Sequence, residues 1–150
     1  MIGLIQRVTH AEVKVDDAVI AEIGRGVLAL IGVEAGDSTS QADRLLERML
    51  GYRVFPDEDG RMNRSLRDIG GGLLLVPQFT LAADTRKGAR PSFSSAAAPE
   101  TGQALFEQLV ASARACHPHV ACGRFAADMK VTLTNDGPVT FWLRVTPGTH

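Results

Sequence analysis

The chain has 150 residues, 16 Lys+Arg against 17 Asp+Glu, a formal net charge of -1, and 45% hydrophobic residues. That length predicts a single domain over 1–150 with a core large enough to need no metal or disulfide staple. The charge balance excludes a globally basic nucleic-acid binder and the apolar content excludes disorder, so any RNA contact must come from a local patch.

In chain order, residues 2–15 read as strand: Leu4, Gln6 and Val8 alternate, followed by Val13 and Val15. Asp16-Asp17 is a turn, residues 19–23 a short strand, and Gly24-Arg25-Gly26 a second turn, which together predict a hairpin. Val27 to Val33 is continuously apolar, as a strand buried on both faces would be. After a polar break, Ser38, Thr39 and Ser40 are cap candidates, with Asp43 in the first turn of a helix. Ala42, Leu45, Leu46, Met49 and Leu50 form its apolar stripe and Gly51 its stop. Residues 53–55 are a short strand and 56–60 a turn; 63–72 is a polar, Gly-rich stretch, and 73–76 a buried strand. Residues 77–95 show no period and contain an exposed basic loop with Arg86, Lys87 and Arg90. A second helix opens at Pro99 with Glu100 beside it, carries the stripe Leu105, Phe106, Leu109, Val110, Ala113, and closes at Pro118. Residues 120–125 and 131–133 are short strands, 135–138 a strong turn signal, and 139–145 a last strand. The pattern predicts an α+β domain: a curled, barrel-like sheet with two main helices packed outside.

Several chemistries are missing. There is no P-loop, GxGxxG, HExxH or GxSxG. Cys116 and Cys122 lack a CxxC spacing and read as packing residues, so no metal and no cofactor is expected. His117 and His119 flank Pro118 at a helix end, where a cation suits the dipole. His10 has no evident Ser or Cys partner, and His150 is the terminal residue. No leader and no membrane span of ~20 residues is expected, so the chain reads as soluble and cytoplasmic.

Two segments stand out. Pro77-Gln78-Phe79-Thr80-Leu81 follows an apolar strand with an amide, an aromatic and a hydroxyl. Pro77 has no N–H, so the ladder should end there, and the amides after it become free to hold a developing oxyanion. The plain alternative is a strand end with a buried Phe. Asn135-Asp136-Gly137-Pro138-Val139-Thr140 reads, on spacing alone, as a hairpin loop with a trans Gly137-Pro138 bond.

The start MIGLIQRVTHAEVKV, PQFTL at 77–81, RKGARPSF at 86–93 and NDGPVT at 135–140 together resemble the D-aminoacyl-tRNA deacylases. The resemblance covers essentially the whole chain. The family motif usually begins with Ser where this chain has Pro77, so any role of that hydroxyl is absent here. A sister group specialised for L-alanine differs in this motif, and Phe79 with NDGPVT sides with the D-specific group. The resemblance implies hydrolysis of the ester joining a D-amino acid to the 3′ adenosine of tRNA, with no cofactor, by a homodimer with sites at the subunit interface. It further implies a cis Gly137-Pro138 unit that enters the partner's site and rejects L-residues, with Arg7 holding it. Gln78, Phe79 and Thr80 would be catalytic. Gly137, Pro138, Arg7, Met129, Asn135 and Phe125 would bind substrate, and Arg86, Lys87 and Arg90 would contact tRNA. Assistance from the ribose hydroxyl and activity on glycyl-tRNA are expected with it.

Three points stay open at this level. Thr80 reads as a positioning group in preference to a nucleophile, since no base is adjacent in sequence. Phe125 and Met129 read equally as core residues, and the basic loop equally as a solvated loop. The alternatives for the whole chain are an L-alanyl-tRNA-editing relative and a non-catalytic RNA-binding dimer.

Overall fold

The computed structural model describes residues 1–148, so the expectation for His150 lies outside the described residues. Its spine is β1 (Ile2–Val15). One edge of β1 pairs antiparallel with β8 (Lys130–Arg144) over its whole length, from Ile2↔Arg144 to Lys14↔Lys130. The other edge is shared: residues 2–8 pair with β3 (Gly26–Gly32) and residues 11–15 with β2 (Ala18–Ile23). Asp16 and Asp17 both take positive φ, 50° and 63°, the two-residue turn whose twist matches a hairpin. β3 runs parallel to β6 (Gly72–Pro77), which runs parallel to β7 (Val120–Cys122). The result is the nearly closed, barrel-like α+β sheet that the sequence predicts.

The apolar runs of β3 and β6 are buried on both faces. Val27, Ala29, Ile31, Leu73 and Leu75 face a core shared with the helices. Leu28, Leu74 and Val76 face a second core inside the curl, with Val8, Ala11 and Val13. A strand with no solvated face has no reason to alternate, which is why these runs read as continuous.

The outer core is closed by α1 (Thr39–Gly51) and α3 (Pro99–Cys116). The α1 stripe Ala42, Leu45, Leu46, Met49, Leu50 is buried as its spacing requires. At its start the Gln41 side-chain oxygen accepts from Ser38 N at 2.7 Å and Ser38 Oγ at 2.8 Å. On α3, Pro99 and Glu100 sit in the first turn, and Leu105, Phe106, Leu109, Val110 and Ala113 are buried. Truncating Leu45, which is fully buried, to Ala would cost about 2–5 kcal/mol.

Several expectations are corrected. The polar stretch after residue 60 holds structure: β4 (Arg53–Pro56) pairs with β5 (Met62–Ser65), followed by a one-turn helix α2 (Leu66–Ile69). The short helix α2 is held by reciprocal capping, Asp68 N to Ser65 Oγ at 3.1 Å and Ser65 N to Asp68 Oδ2 at 2.8 Å. Its single apolar anchor, the buried Leu66, generates no period to read. β7 ends at Cys122 instead of reaching Phe125. The expected turn at 135–138 does not separate two strands: residues 130–144 are one strand, because both flanks pair with the same long template, β1. Gln6 pairs with Thr140 and Val8 with Asn135, so β8 spends five residue steps where β1 spends two, and the excess bulges out of the sheet. The Gly137-Pro138 bond is cis, against the trans reading from base rates. Both cysteines are free, but Cys116 is exposed and packs little; as the last residue of α3 it lies off the buried stripe. His117 is buried, its Nε2 donating to the Gly71 carbonyl at 2.6 Å, so it ties α3 to the start of β6.

Candidate active site

β6 ends at Pro77, as the missing N–H requires, and the Gln78 amide makes a last bond to the Ile31 carbonyl at 2.7 Å. The chain then tightens into a 3-10 turn, Phe79–Ala82. Glycine at position 32 lets that turn seat against β3: a Cβ there would lie 2.9 Å from Leu81 Cβ. At the head of any such turn the first amides lack an intrahelical acceptor, and here these belong to Phe79 and Thr80. Phe79 is not the buried residue of the plain reading; it is 60% exposed. Two amides left without an intrahelical acceptor at a strand end can stabilise a carbonyl oxygen that gains charge.

Gln78 Nε2 donates to Thr80 Oγ1 at 2.7 Å. Among the described residues that amide is the group bonded to the hydroxyl, and an N–H donor cannot remove its proton. The geometry therefore orients Thr80 without activating it as a nucleophile. Two cavities flank Gln78 and Phe79. One, of about 350 Å³, is walled by Ile31, Val33, Gly102, Phe106 and Phe125. The other, of about 240 Å³, is walled by Ala126, Asp128, Met129 and Val131. Phe125 and Met129 thus serve both readings: each packs on a core and each lines a cavity beside the motif.

The second segment is built from the β8 bulge. Gly137 and Pro138 are exposed, and their flanks are tied down. Arg7 Nε donates to the Asp136 carbonyl at 3.0 Å and lies 3.2 Å from the Asp136 carboxylate, while its Nη1 donates to the Val54 carbonyl at 2.6 Å. Asn135 Nδ2 donates to the carbonyls of Arg7 at 2.9 Å and Val139 at 3.1 Å, spanning the bulge from inside. Asn135 therefore holds its own loop. The part played by Val54 was invisible in sequence, because a backbone carbonyl carries no residue signature.

Neither cavity beside Phe79 is lined by Gly137 or Pro138 of the same chain. Pro77 pairs with Ile31 and Ile31 with Gly3, whereas the bulge sits at the level of Arg7.

In the basic loop, Arg86 is not free. Its guanidinium forks onto Asp84 at 2.7 and 3.0 Å, and these hydrogen bonds hold the Asp84 carboxyl down to about 2. Lys87 and Arg90 are exposed, with no ion pair among the described residues. Backbone bonds in both directions between Asp84 and Ser92, 2.7 and 2.9 Å, close the loop at its base. Phe93, which the sequence did not single out, is 43% exposed with its ring centroid 5.3 Å from that of Phe79. Among the described residues no three His, Cys, Asp or Glu side chains converge as metal ligands would. No helix is long and apolar enough to cross a membrane.

With this geometry in place, comparison with known proteins is informative. The family model described as D-Tyr-tRNA(Tyr) deacylase matches residues 4–144. A D-aminoacyl-tRNA deacylase of Alkalilimnicola ehrlichii is 69% identical over 98% of this chain and 98% of its own length. One from Stutzerimonas stutzeri is 64% identical over 95% and 99%. A solved structure titled c-Myc DNA Unwinding Element Binding Protein superposes with a TM-score of 0.93 at 34% identity, covering 97% of this chain and 99% of that one. A probable eukaryotic D-amino acid tRNA deacylase, 19% identical, shares the fold with a TM-score of 0.75, covering 95% and 97%.

Proposed function

The chain belongs to the D-Tyr-tRNA(Tyr) deacylase family, and on that premise we propose how its two motifs divide the work of hydrolysis. The reaction is that of a D-aminoacyl-tRNA deacylase: water adds to the ester carbonyl, and the ribose oxygen leaves with a proton. An aminoacyl ester is already activated, so positioning and charge stabilisation suffice where an amide would demand a nucleophile. The amides of Phe79 and Thr80 hold the oxyanion, Thr80 Oγ1 is steered by Gln78, and the vicinal ribose hydroxyl relays the proton. The apolar cavity against Phe125 takes the terminal adenine, a flat ring suited to an aromatic wall, and Met129 borders the ester from the other side.

Stereochemical choice comes from Gly137-Pro138. D- and L-esters differ only in which side of Cα bears the side chain, so a wall that overlaps the L-position and leaves the D-position open is sufficient. Main chain suits that task, because it cannot swing aside as a side chain can. A wall of this kind leaves the D-side-chain direction open and does not exclude glycine, so glycyl-tRNA is also cleaved.

The observation that carries this reading is that Gly137 and Pro138 are exposed on a bulge that lines neither cavity beside the Phe79 of its own chain. The exposed bulge serves a second copy across a two-fold axis. An apolar row supports such a copy: Leu30 and Trp142 both pair with Leu4, and Trp142 is 55% exposed. The homodimer acts in the cytoplasm, where charged tRNA is found.

The test is release of free amino acid by purified protein from tRNA carrying D-Tyr, L-Tyr, Gly or L-Ala. The expected order is rapid release of D-Tyr, release of Gly, and sparing of L-Tyr and L-Ala. Preferential L-Ala release would reassign the chain to the L-alanine-editing group. No release at all would leave a binding role.

A further inference from the structure

We propose that Phe93, with Phe79 and the closed loop carrying Lys87 and Arg90, forms a stacking platform for the unpaired nucleotide preceding the terminal adenosine. The inference rests on the tRNA-ester reading above and extends it beyond the adenosine.

Two phenyl rings exposed side by side are costly to leave in water unless something covers them. Phe79 and Phe93 are 60% and 43% exposed, 5.3 Å between centroids, and tilted by 48°. Both rings keep a large share of their surface open to solvent. They stand directly beside the amides assigned to the ester, so the occupant must be continuous with the substrate. The loop that leads into Phe93 also carries charge. Its base is closed by the Asp84–Ser92 backbone pair, and Ser95 Oγ donates to the Ala82 carbonyl at 2.7 Å, fixing the return strand beside the 3-10 turn. Asp84 consumes Arg86, which leaves Lys87 and Arg90 as the cations free to meet phosphate. Aromatic faces next to unpaired cations match a single-stranded nucleic acid, whose bases stack and whose backbone is anionic. An acidic peptide would satisfy the cations and leave the rings uncovered.

The experiment compares kcat/KM for D-Tyr esterified to adenosine, to the dinucleotide CpA, and to full tRNA, using wild type, Phe93→Ala and Phe93→Trp. Wild type should gain about tenfold on going from adenosine to CpA, the worth of one stacked base. Phe93→Ala should abolish that gain and Phe93→Trp should retain it, with all three proteins sedimenting alike. Equal kcat/KM for adenosine and CpA esters in wild type, while both are cleaved, overturns the platform and leaves the tRNA-ester reading intact. A gain that survives in Phe93→Ala, or dissociation of that variant to monomers, also overturns it. Failure of wild type on every ester overturns both.

Discussion

Replacing Gly137 with Ala isolates the claim that the β8 bulge is a shaped wall. A Cβ at position 137 would land on Asn135 Oδ1, 3.0 Å from Asn135 Cγ and 3.2 Å from Val139 N. The side chain must move, and with it go its bonds to the carbonyls of Arg7 and Val139. At a net worth of about 0.5–1.5 kcal/mol each, the two bonds set the cost at about 1–3 kcal/mol, or about 5- to 150-fold in the population of the held loop. That cost falls on the loop and not on the fold, because Gly137 is exposed and belongs to neither core. D-Tyr-tRNA cleavage should therefore drop by about that factor, and discrimination against L-Tyr-tRNA should narrow, while far-UV circular dichroism stays unchanged. A double-mutant cycle gives the sharper test. Asn135→Ala removes the same two bonds, so adding Gly137→Ala to it should cost little further. Losses that multiply in the double variant, or a Gly137→Ala enzyme with wild-type rate and selectivity, would refute the reasoning.

Acid sensitivity should trace to Glu34. Burial pushes its carboxyl up, but hydrogen bonds from Arg144 and the Met1 ammonium outweigh that and leave it below 4.5. Its stabilising share is therefore present above pH 4.5 and lost as the pH falls through the depressed value. Thermal melts of Glu34→Gln and wild type should differ at pH 6 and converge in that acidic window; a gap that widens on acidification would contradict this. In the basic loop, Asp84→Asn releases Arg86 from its fork. Tighter binding of uncharged tRNA is expected, with a salt slope steeper by about 0.7; an unchanged slope would remove Arg86 from the tRNA path.

What could be read from sequence follows from what leaves a period or a special residue. The stripes Leu45/Leu46/Met49 and Leu105/Phe106/Leu109 and the doubly buried runs of β3 and β6 are dictated by burial, and burial writes itself as hydrophobicity. Pro77 correctly marks the end of a ladder. The segment at 135–138 misleads because turn residues say that the chain departs from a strand, not that it fails to return to it. Only the pairing of both flanks with β1 reveals a bulge. α2 and the β4–β5 hairpin rest on capping and single anchors, which have no period. The link from Arg7 to Val54 is made to a carbonyl every residue possesses. Phe93 was legible as a residue but not as an exposed neighbour of Phe79, since exposure depends on how residues 84–95 fold back.

The central claim is that each site takes its ester-binding amides from one subunit and its chiral wall from the other. Subunit mixing measures this directly. Gln78→Ala and Gly137→Ala variants, each assayed alone for its residual rate, are unfolded together and refolded at equal amounts, and D-Tyr-tRNA hydrolysis is assayed. Half of the dimers formed are mixed, and each mixed dimer pairs an intact residue 78 with an intact residue 137 at one of its two sites. The intact sites of the mixed dimers should contribute about a quarter of the wild-type rate beyond the residual activity of the parents. A mixture no more active than its two parents would place both motifs' work within a single chain and contradict the account.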